Sequence, residues 1–310
     1  MIVTMILGAP ASGKSTAASK LKNNSVILNR DTEGGKIIDL IPKLESLLIK
    51  NTSDVLLDNL FPDIKTRKLF IDLCKKYKVP INCIWVKTSI EDCQFNAVIR
   101  AIKLTNEFPS PEIIKKSKHP NIFPPAVLFK YKKDFEPPSI EEGFDSLKIE
   151  EFSRENNPNF TNKALILDYD GCLRECVGGN GKYPTEKNQI KIKENVTETL
   201  SRYKNNGYRL LGISNQSGIH KKELSLDKAK ELFDYTNSLI GLDIEYAFCP
   251  HQSAPISCYC RKPQTGLFIN FMLKYNLDRK QCIFVGDMTS DKTAATRFGC
   301  KYIDQLDFFK

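Results

Sequence analysis

Two sets of residues in this chain have the types and spacing for phosphate chemistry. The first is Gly8-Ala9-Pro10-Ala11-Ser12-Gly13-Lys14-Ser15, with Thr16 behind it. It fits the pattern G-x-x-x-x-G-K-[ST] between an apolar strand-like run and a helix-like one. The glycines let the backbone curl until its N–H groups surround a polyphosphate at a helix N-terminus. Lys14 then offsets charge on the β- and γ-phosphates, and the Ser15 hydroxyl is a ligand for Mg²⁺. The second set is Asp168 and Asp170, which follow the apolar run 164–167 and precede Gly171. Side chains at i and i+2 leave a strand on the same side, so both acids can serve one site. One carboxylate can attack phosphorus and form an aspartyl-phosphate; the other can move the proton of the leaving oxygen.

An isolated Asp-x-Asp-Gly is more often a turn than a site, but three later segments argue otherwise. Residues 208–213 read as a buried strand ending at Ser214, whose hydroxyl can hold a phosphoryl oxygen. Lys262 can bind phosphate and offset the carboxylates. Residues 282–285 form another strand, followed by Gly286-Asp287 and Asp291, acids that can complete an oxygen-rich Mg²⁺ site. A further group, Cys249-x-His251 and Cys258-x-Cys260, offers three thiolates and one imidazole, a closed set suited to structural Zn²⁺. Such an ion would pin a loop that has no core of its own.

These residues need strands to carry them. In the first half, 3–7, 25–28, 55–57 and 81–86 are short apolar runs, separated by helix-spaced stretches at 36–50 and 64–77. Alternation of this kind gives a parallel, doubly wound sheet. Asp31 would stand at the end of the second strand, beside the phosphates, where it could take a proton from an acceptor hydroxyl; the same spacing also allows a helix N-cap. In the second half, a helix is expected at about 188–205 and a short glycine-rich insertion at 177–184. The Pro- and Lys-rich stretch 105–125 reads as a loop, and the polar, turn-rich stretch 154–161 as a domain junction. The expected fold class is therefore α/β, with two doubly wound parallel-sheet domains at 1–155 and 156–310.

Composition narrows the function classes. No apolar run approaches the roughly 18 residues of a membrane span, so no membrane partner is expected. The net charge is +9, shared by both halves: residues 1–155 carry 24 basic and 20 acidic side chains, the rest 22 and 17. That balance suits a polyanionic partner. The N-terminus runs straight into the glycine motif without a basic leader. Ten cysteines in a chain of 310 residues then read as reduced thiols of an intracellular protein, in cytosol or nucleus rather than secreted. Oligomeric state is not legible.

Longer motifs carry a resemblance. Asn29-Arg30-Asp31-Thr32, Leu57-Asp58-Asn59-x-x-Pro62-Asp63 and Lys133-Asp134-Phe135-Glu136-x-Pro138-Ser139-x-x-Glu142-Gly143-Phe144 resemble the kinase half of polynucleotide kinase 3′-phosphatases. The resemblance implies phosphoryl transfer from ATP to the 5′-hydroxyl of a nucleic acid, with Asp31 as base. The family's arginine-rich lid helix corresponds to residues 91–100, where Arg100 is the one arginine and the implied clamp on the transferred phosphoryl group. Asp168, Ser214, Lys262 and Asp287 with Asp291, in that order at four strand ends, resemble the haloacid dehalogenase phosphatases. That likeness implies Asp168 as nucleophile, Asp170 as acid/base, Ser214 and Lys262 as phosphate binders, and Asp168, the Asp170 carbonyl, Asp287 and Asp291 around Mg²⁺. Cys172 stands where that family usually has threonine. The Cys/His group is similar to the zinc loop of histidinol-phosphate and heptose-bisphosphate phosphatases. Together these imply healing of DNA or RNA ends, with a small-molecule kinase–phosphatase as the alternative.

Overall fold

The computed structural model describes every residue except Asn23 and residues 179–182; the middle of the expected glycine-rich insertion therefore lies outside the described residues. The chain divides into two compact units. One comprises Met1–Arg100 and Ser117–Arg154, the other Ala101–Lys116 and Glu155–Lys310.

The first 151 residues run β1 (Val3–Leu7), α1 (Lys14–Leu21), β2 (Val26–Leu28), α2 (Arg30–Glu33), α3 (Leu40–Lys50), β3 (Val55–Asp58), α4 (Ile64–Lys76), β4 (Ile81–Lys87), α5 (Ile90–Thr105), α6 (Pro111–Lys116), α7 (Pro125–Asp134) and β5 (Ser146–Glu151). The strands form one sheet in the order β2-β3-β1-β4-β5, and every pairing is parallel. Strand β1 is central. Its Val3, Met5 and Leu7 enter one core cluster with Phe61 and Phe70, while Ile6 packs on Ala17 and Ala18 of α1. A strand buried on both faces is apolar almost throughout, which is why β1 reads as a near-continuous run broken only by half-buried Thr4, and not as an alternating one. α6 forms within the stretch expected to be a loop; Pro111 occupies its first position, where the missing N–H costs nothing.

The motif around residues 133–144 is structural. Arg67 on α4 is fully buried and makes a two-pronged ion pair with Glu142, Nε to Oε2 and Nη2 to Oε1, both 2.7 Å. Its Nη1 donates to the carbonyls of Phe61 and Glu136. Glu136 in turn accepts from the Ile64 N–H at the start of α4.

The second unit contains β6 (Ala164–Leu167), β7 (Arg174–Cys176), β8 (Ile190–Ile192), α8 (Val196–Asn205), β9 (Arg209–Asn215), α9 (Ser217–His220), α10 (Leu226–Ile240), β10 (Glu245–Cys249), α11 (Gly266–Tyr275), β11 (Ile283–Gly286), α12 (Thr289–Phe298), β12 (Lys301–Asp304) and α13 (Gln305–Phe308). Its main sheet has the order β10-β9-β6-β11-β12, again parallel throughout. The fold class is α/β with two such five-stranded sheets. The helix expected at about 188–205 begins only at Val196. Ile190 and Ile192, two apart, instead form β8, paired antiparallel with β7; period two prevails over the helical reading there. Among the described residues no helix is long and apolar enough to cross a membrane.

Candidate active sites

In the first unit, β1 delivers the chain to the glycine loop. Gly8 cannot carry a side chain: a Cβ there would lie 2.6 Å from the Val86 carbonyl oxygen. Ala11 and Gly13 adopt φ of 60° and 101°, so the loop curls back before α1 starts at Lys14. A cavity of about 1010 Å³ opens over it, lined by Pro10 through Thr16, by Asn29, Arg30 and Asp31, and by Arg100. Gly8 and Ala9, also expected in the binding loop, are not among the residues that line the cavity. The loop residues, Asp31 and Arg100, widely separated in sequence, thus share one space.

Lys14 Nζ donates to the Ala9 carbonyl at 2.8 Å. Burial pulls its pKa down to about 8, although Asp58 and Asp31 pull the other way; Arg100 lowers it further. Ser15 Oγ donates to Asp58 Oδ2 at 2.9 Å, and Asn29 Nδ2 reaches the same oxygen at 3.1 Å. Asp58, part of the second kinase-half motif but given no role by it, therefore stands with Ser15 at the cavity. The available signal was its place at the end of a buried strand beside the loop strand. Asn59 next to it accepts from the Arg30 N–H and donates to the Leu28 carbonyl, tying β3 to the start of α2. The N-cap of α2 is Asn29, which accepts from the Asp31 N–H. Asp31 is thus released from capping. Its carboxylate is held by Arg30 Nη2 at 2.7 Å, at the cavity wall. The guanidinium of Arg100 lies 5.7 Å from the centre of the Phe123 ring.

The second unit assembles the other site at its strand ends. Asp168, just beyond β6, accepts from Lys262 Nζ at 2.7 Å. The same ammonium lies 2.9 Å from Asp291 Oδ1 and donates to the Ile213 carbonyl at 2.9 Å. Burial raises the Asp168 carboxyl to about 7, against the pull of Lys262. Burial also pulls Lys262 down, but Asp168 and Asp291 more than offset it and hold its pKa at about 12. The carboxylates of Asp168, Asp287 and Asp291 offer oxygens all within 4.8 Å of one another. Burial, then Asp291, raises the pKa of Asp287. Three converging carboxylates form a donor set that fits a hard divalent cation such as Mg²⁺. Glycine clears the space: at Gly286 a Cβ would lie 2.5 Å from Asp291 Oδ2.

Asp170 takes a different direction. Its Oδ1 accepts from Arg174 Nε at 2.8 Å and its Oδ2 from Gln216 Nε2 at 2.7 Å. Gln216 Nε2 also reaches Ser214 Oγ at 3.1 Å, so Ser214 and Asp170 share a neighbour. The Asp170 side chain takes no part in the three-acid group. Arg174 and Gln216 are buried and were not anticipated. Arg174 lies only four residues past Asp170, but nothing in that spacing says that its guanidinium turns inward. Cys172 is fully buried and its Sγ points to the Val285 carbonyl at 3.6 Å, so the thiol fills the position without disturbing β11.

The Cys/His residues also meet. Cys249 Sγ is 3.7 Å from Cys258 Sγ and 3.4 Å from His251 Nδ1, and His251 Nδ1 is 3.2 Å from Cys260 Sγ. All four ligand atoms lie within 4.8 Å of one another. Three soft sulfurs and one nitrogen in that compass fit a tetrahedral structural metal. Two residues on, Lys262 is held by a reciprocal pair: its N–H donates to Asn215 Oδ1 and its carbonyl accepts from Asn215 Nδ2. The loop therefore positions Lys262 over Asp168.

Residues 163–305 match the family described as polynucleotide kinase 3 phosphatase, and residues 3–112 match an AAA domain family. The chain joins a P-loop kinase domain to a phosphatase domain of the polynucleotide kinase 3 phosphatase family. Over the phosphatase domain it belongs with the D-glycero-β-D-manno-heptose-1,7-bisphosphate 7-phosphatases. That of Helicobacter pylori is 31% identical across 43% of this chain and 78% of its own length, and that of Haemophilus influenzae 33% identical across 43% and 75%. A chain of the Pnkp1/Rnl/Hen1 RNA repair complex aligns over 97% of this chain and 94% of its own, at 16% identity and a TM-score of 0.32.

Proposed function

We propose that this protein heals nucleic-acid ends, phosphorylating 5′-hydroxyls with ATP and removing 3′-phosphates through an aspartyl-phosphate. The observation that carries the reading is the pairing, in one chain, of a cavity shared by Lys14 and Asp31 with a buried Asp168–Lys262–Asp291 cluster. Opposed phosphate activities would be futile on one position; they make sense on opposite sides of a strand break. The match of residues 163–305 to the polynucleotide kinase 3 phosphatase family and the two kinase-half motifs that reach the cavity, at 29–32 and 57–63, support the substrate class. The domains are taken as 1–155 and 156–310.

In the kinase, Asp31 accepts the proton of the acceptor hydroxyl as its oxygen attacks the γ-phosphorus. The loop amides and Lys14 hold the donor phosphates, and Arg100 stabilises the charge on the transferred group. Ser15 and Asp58 would hold Mg²⁺, which neutralises phosphate charge when bound. In the phosphatase, Asp168 attacks the 3′-phosphate while Asp170 gives a proton to the leaving 3′-oxygen. Asp170 then takes a proton from the water that hydrolyses the acyl phosphate. Ser214 and Lys262 hold the non-bridging oxygens; Asp168, Asp287 and Asp291 would hold Mg²⁺. Cys249, His251, Cys258 and Cys260 would hold Zn²⁺ as a structural ion.

The similarity to heptose-bisphosphate 7-phosphatases and the Cys/His group favour a second reading, a sugar-phosphate substrate for the phosphatase. One experiment separates them. An oligonucleotide with 5′-hydroxyl and 3′-phosphate ends, as DNA and as RNA, is incubated with ATP and Mg²⁺ and weighed by mass spectrometry, beside a panel of sugar phosphates. End healing requires gain of phosphate at the 5′ end, lost in Lys14→Ala and Asp31→Ala, and loss at the 3′ end, abolished in Asp168→Asn. Turnover of a sugar phosphate with untouched oligonucleotides would sink it.

A further inference from the structure

We infer that Phe152 is the stacking platform for the base of the phosphate donor, and that Arg154 holds it in register with the phosphate loop. The inference rests on the kinase reading above. In-line phosphoryl transfer puts the acceptor oxygen and the leaving oxygen on opposite sides of phosphorus. The sheet order β2-β3-β1-β4-β5 puts the phosphate loop, after β1, in the middle. Asp31 follows β2 at one edge, so the acceptor arrives from that side. The remainder of the donor must then extend toward β4 and β5. Phe152 is the first residue past β5, and its N–H donates to the Lys87 carbonyl, continuing the ladder to β4. It lines the same cavity as the loop and Asp31. Ligands of parallel sheets bind beyond the carboxyl ends of the strands, which is where this ring stands.

The ring is also braced. The guanidinium of Arg154 lies 5.0 Å from the Phe152 ring centre and 3.9 Å from that of Phe95 on α5. Arg154 Nη2 is 2.9 Å from Asp92 Oδ1, and its Nη1 donates to Asn96 Oδ1 at 2.8 Å. Asn96 Nδ2 then donates to the carbonyl of Ala11, inside the phosphate loop, at 2.9 Å. A continuous chain of contacts therefore links the ring to the loop that holds the phosphates. Phe123, the other phenylalanine of the cavity, is paired with Arg100 and so belongs to the phosphoryl end. A stacked base is bound through its π-face, worth roughly tenfold in affinity.

Calorimetric titration of the full chain with ADP and with inorganic tripolyphosphate, both with Mg²⁺, tests this. Phe152→Ala should weaken ADP by about tenfold and leave tripolyphosphate, which has no base, within about twofold; Phe152→Trp should restore ADP binding. Arg154→Ala, acting through the ring and through Asn96, should weaken both ligands. Unchanged ADP affinity in Phe152→Ala, or equal loss for both ligands in that variant, overturns the platform. Failure of the wild-type chain to bind either ligand would instead overturn the kinase reading itself.

Discussion

Arg174 donates from Nε to Asp170 Oδ1 over 2.8 Å, and both side chains are almost wholly buried. The guanidinium is anchored from behind: Nη1 donates to the Leu232 carbonyl and to Thr236 Oγ1 on α10. With Gln216 on the other oxygen, the carboxylate is fixed from both sides. Arg174→Ala would leave a buried carboxylate without its counter-charge, a change that costs about 3–5 kcal/mol. The urea midpoint should fall accordingly, and 3′-phosphate release should drop by at least about tenfold, with Arg174→Lys intermediate. An unchanged midpoint and rate would show that the pair is dispensable.

Lys14 carries a pH prediction. Its pKa in the free protein is lowered to about 8, chiefly by burial. Below that value the side chain is charged and ready for a polyphosphate; above it the charge is lost. A bound polyphosphate favours the charged form, so its pKa rises on binding. Affinity for ATP should therefore fall as pH rises through about 8, and binding above that pH should take up a proton. Calorimetry in buffers of different ionisation enthalpy measures the uptake directly; binding with no proton exchange at pH 9 would contradict the assignment. For folding, the sign is set by the lowered pKa: the unfolded chain holds this proton up to its ordinary value near 10.5, so the stability cost of burying Lys14 is present below pH 8 and fades as pH rises toward 10.5.

The Cys/His group predicts a selective lesion. One zinc ion per chain should be found by elemental mass spectrometry. Cys258→Ala should release it and lower the melting temperature of the phosphatase domain, because the metal's binding energy is folding energy for that loop. Lys262 lies two residues past Cys260, so 3′-phosphate release should fall with it. ATP binding should persist. A metal-free wild-type protein with full phosphatase activity would rule out the zinc assignment.

Gly171 tests the geometry of the acid cluster. Its φ is 85°, a conformation that L side chains rarely adopt, and a Cβ there would run into the Asp287 carboxylate. Gly171→Ala should cost about 1 kcal/mol or more in stability and displace Asp287. The Mg²⁺ concentration for half-maximal phosphatase activity should then rise, while the kinase is unaffected. A variant with wild-type Mg²⁺ dependence would separate Asp287 from the metal site.

Much of the chemistry of this chain is written in short stretches of residues. The glycine loop, the alternation of apolar runs with helical spacing, and the acids and serine that follow apolar runs are local patterns. Local patterns are legible because backbone curl, period and strand ends follow from neighbouring residues. So is the Cys249–Cys260 group, whose ligands lie within twelve residues of one another. Which distant side chains meet follows only from how the strands and helices pack. Asp58 reaches Ser15 across 43 residues of chain, and Gln216 reaches Asp170 across 46. Arg67 and Glu142 turn a motif that reads as functional into an internal brace. Arg174 is the sharpest case: at four residues from Asp170 it could equally have faced water, and only the packing of β7 against α10 turns its charge inward, where the low dielectric makes a partner obligatory.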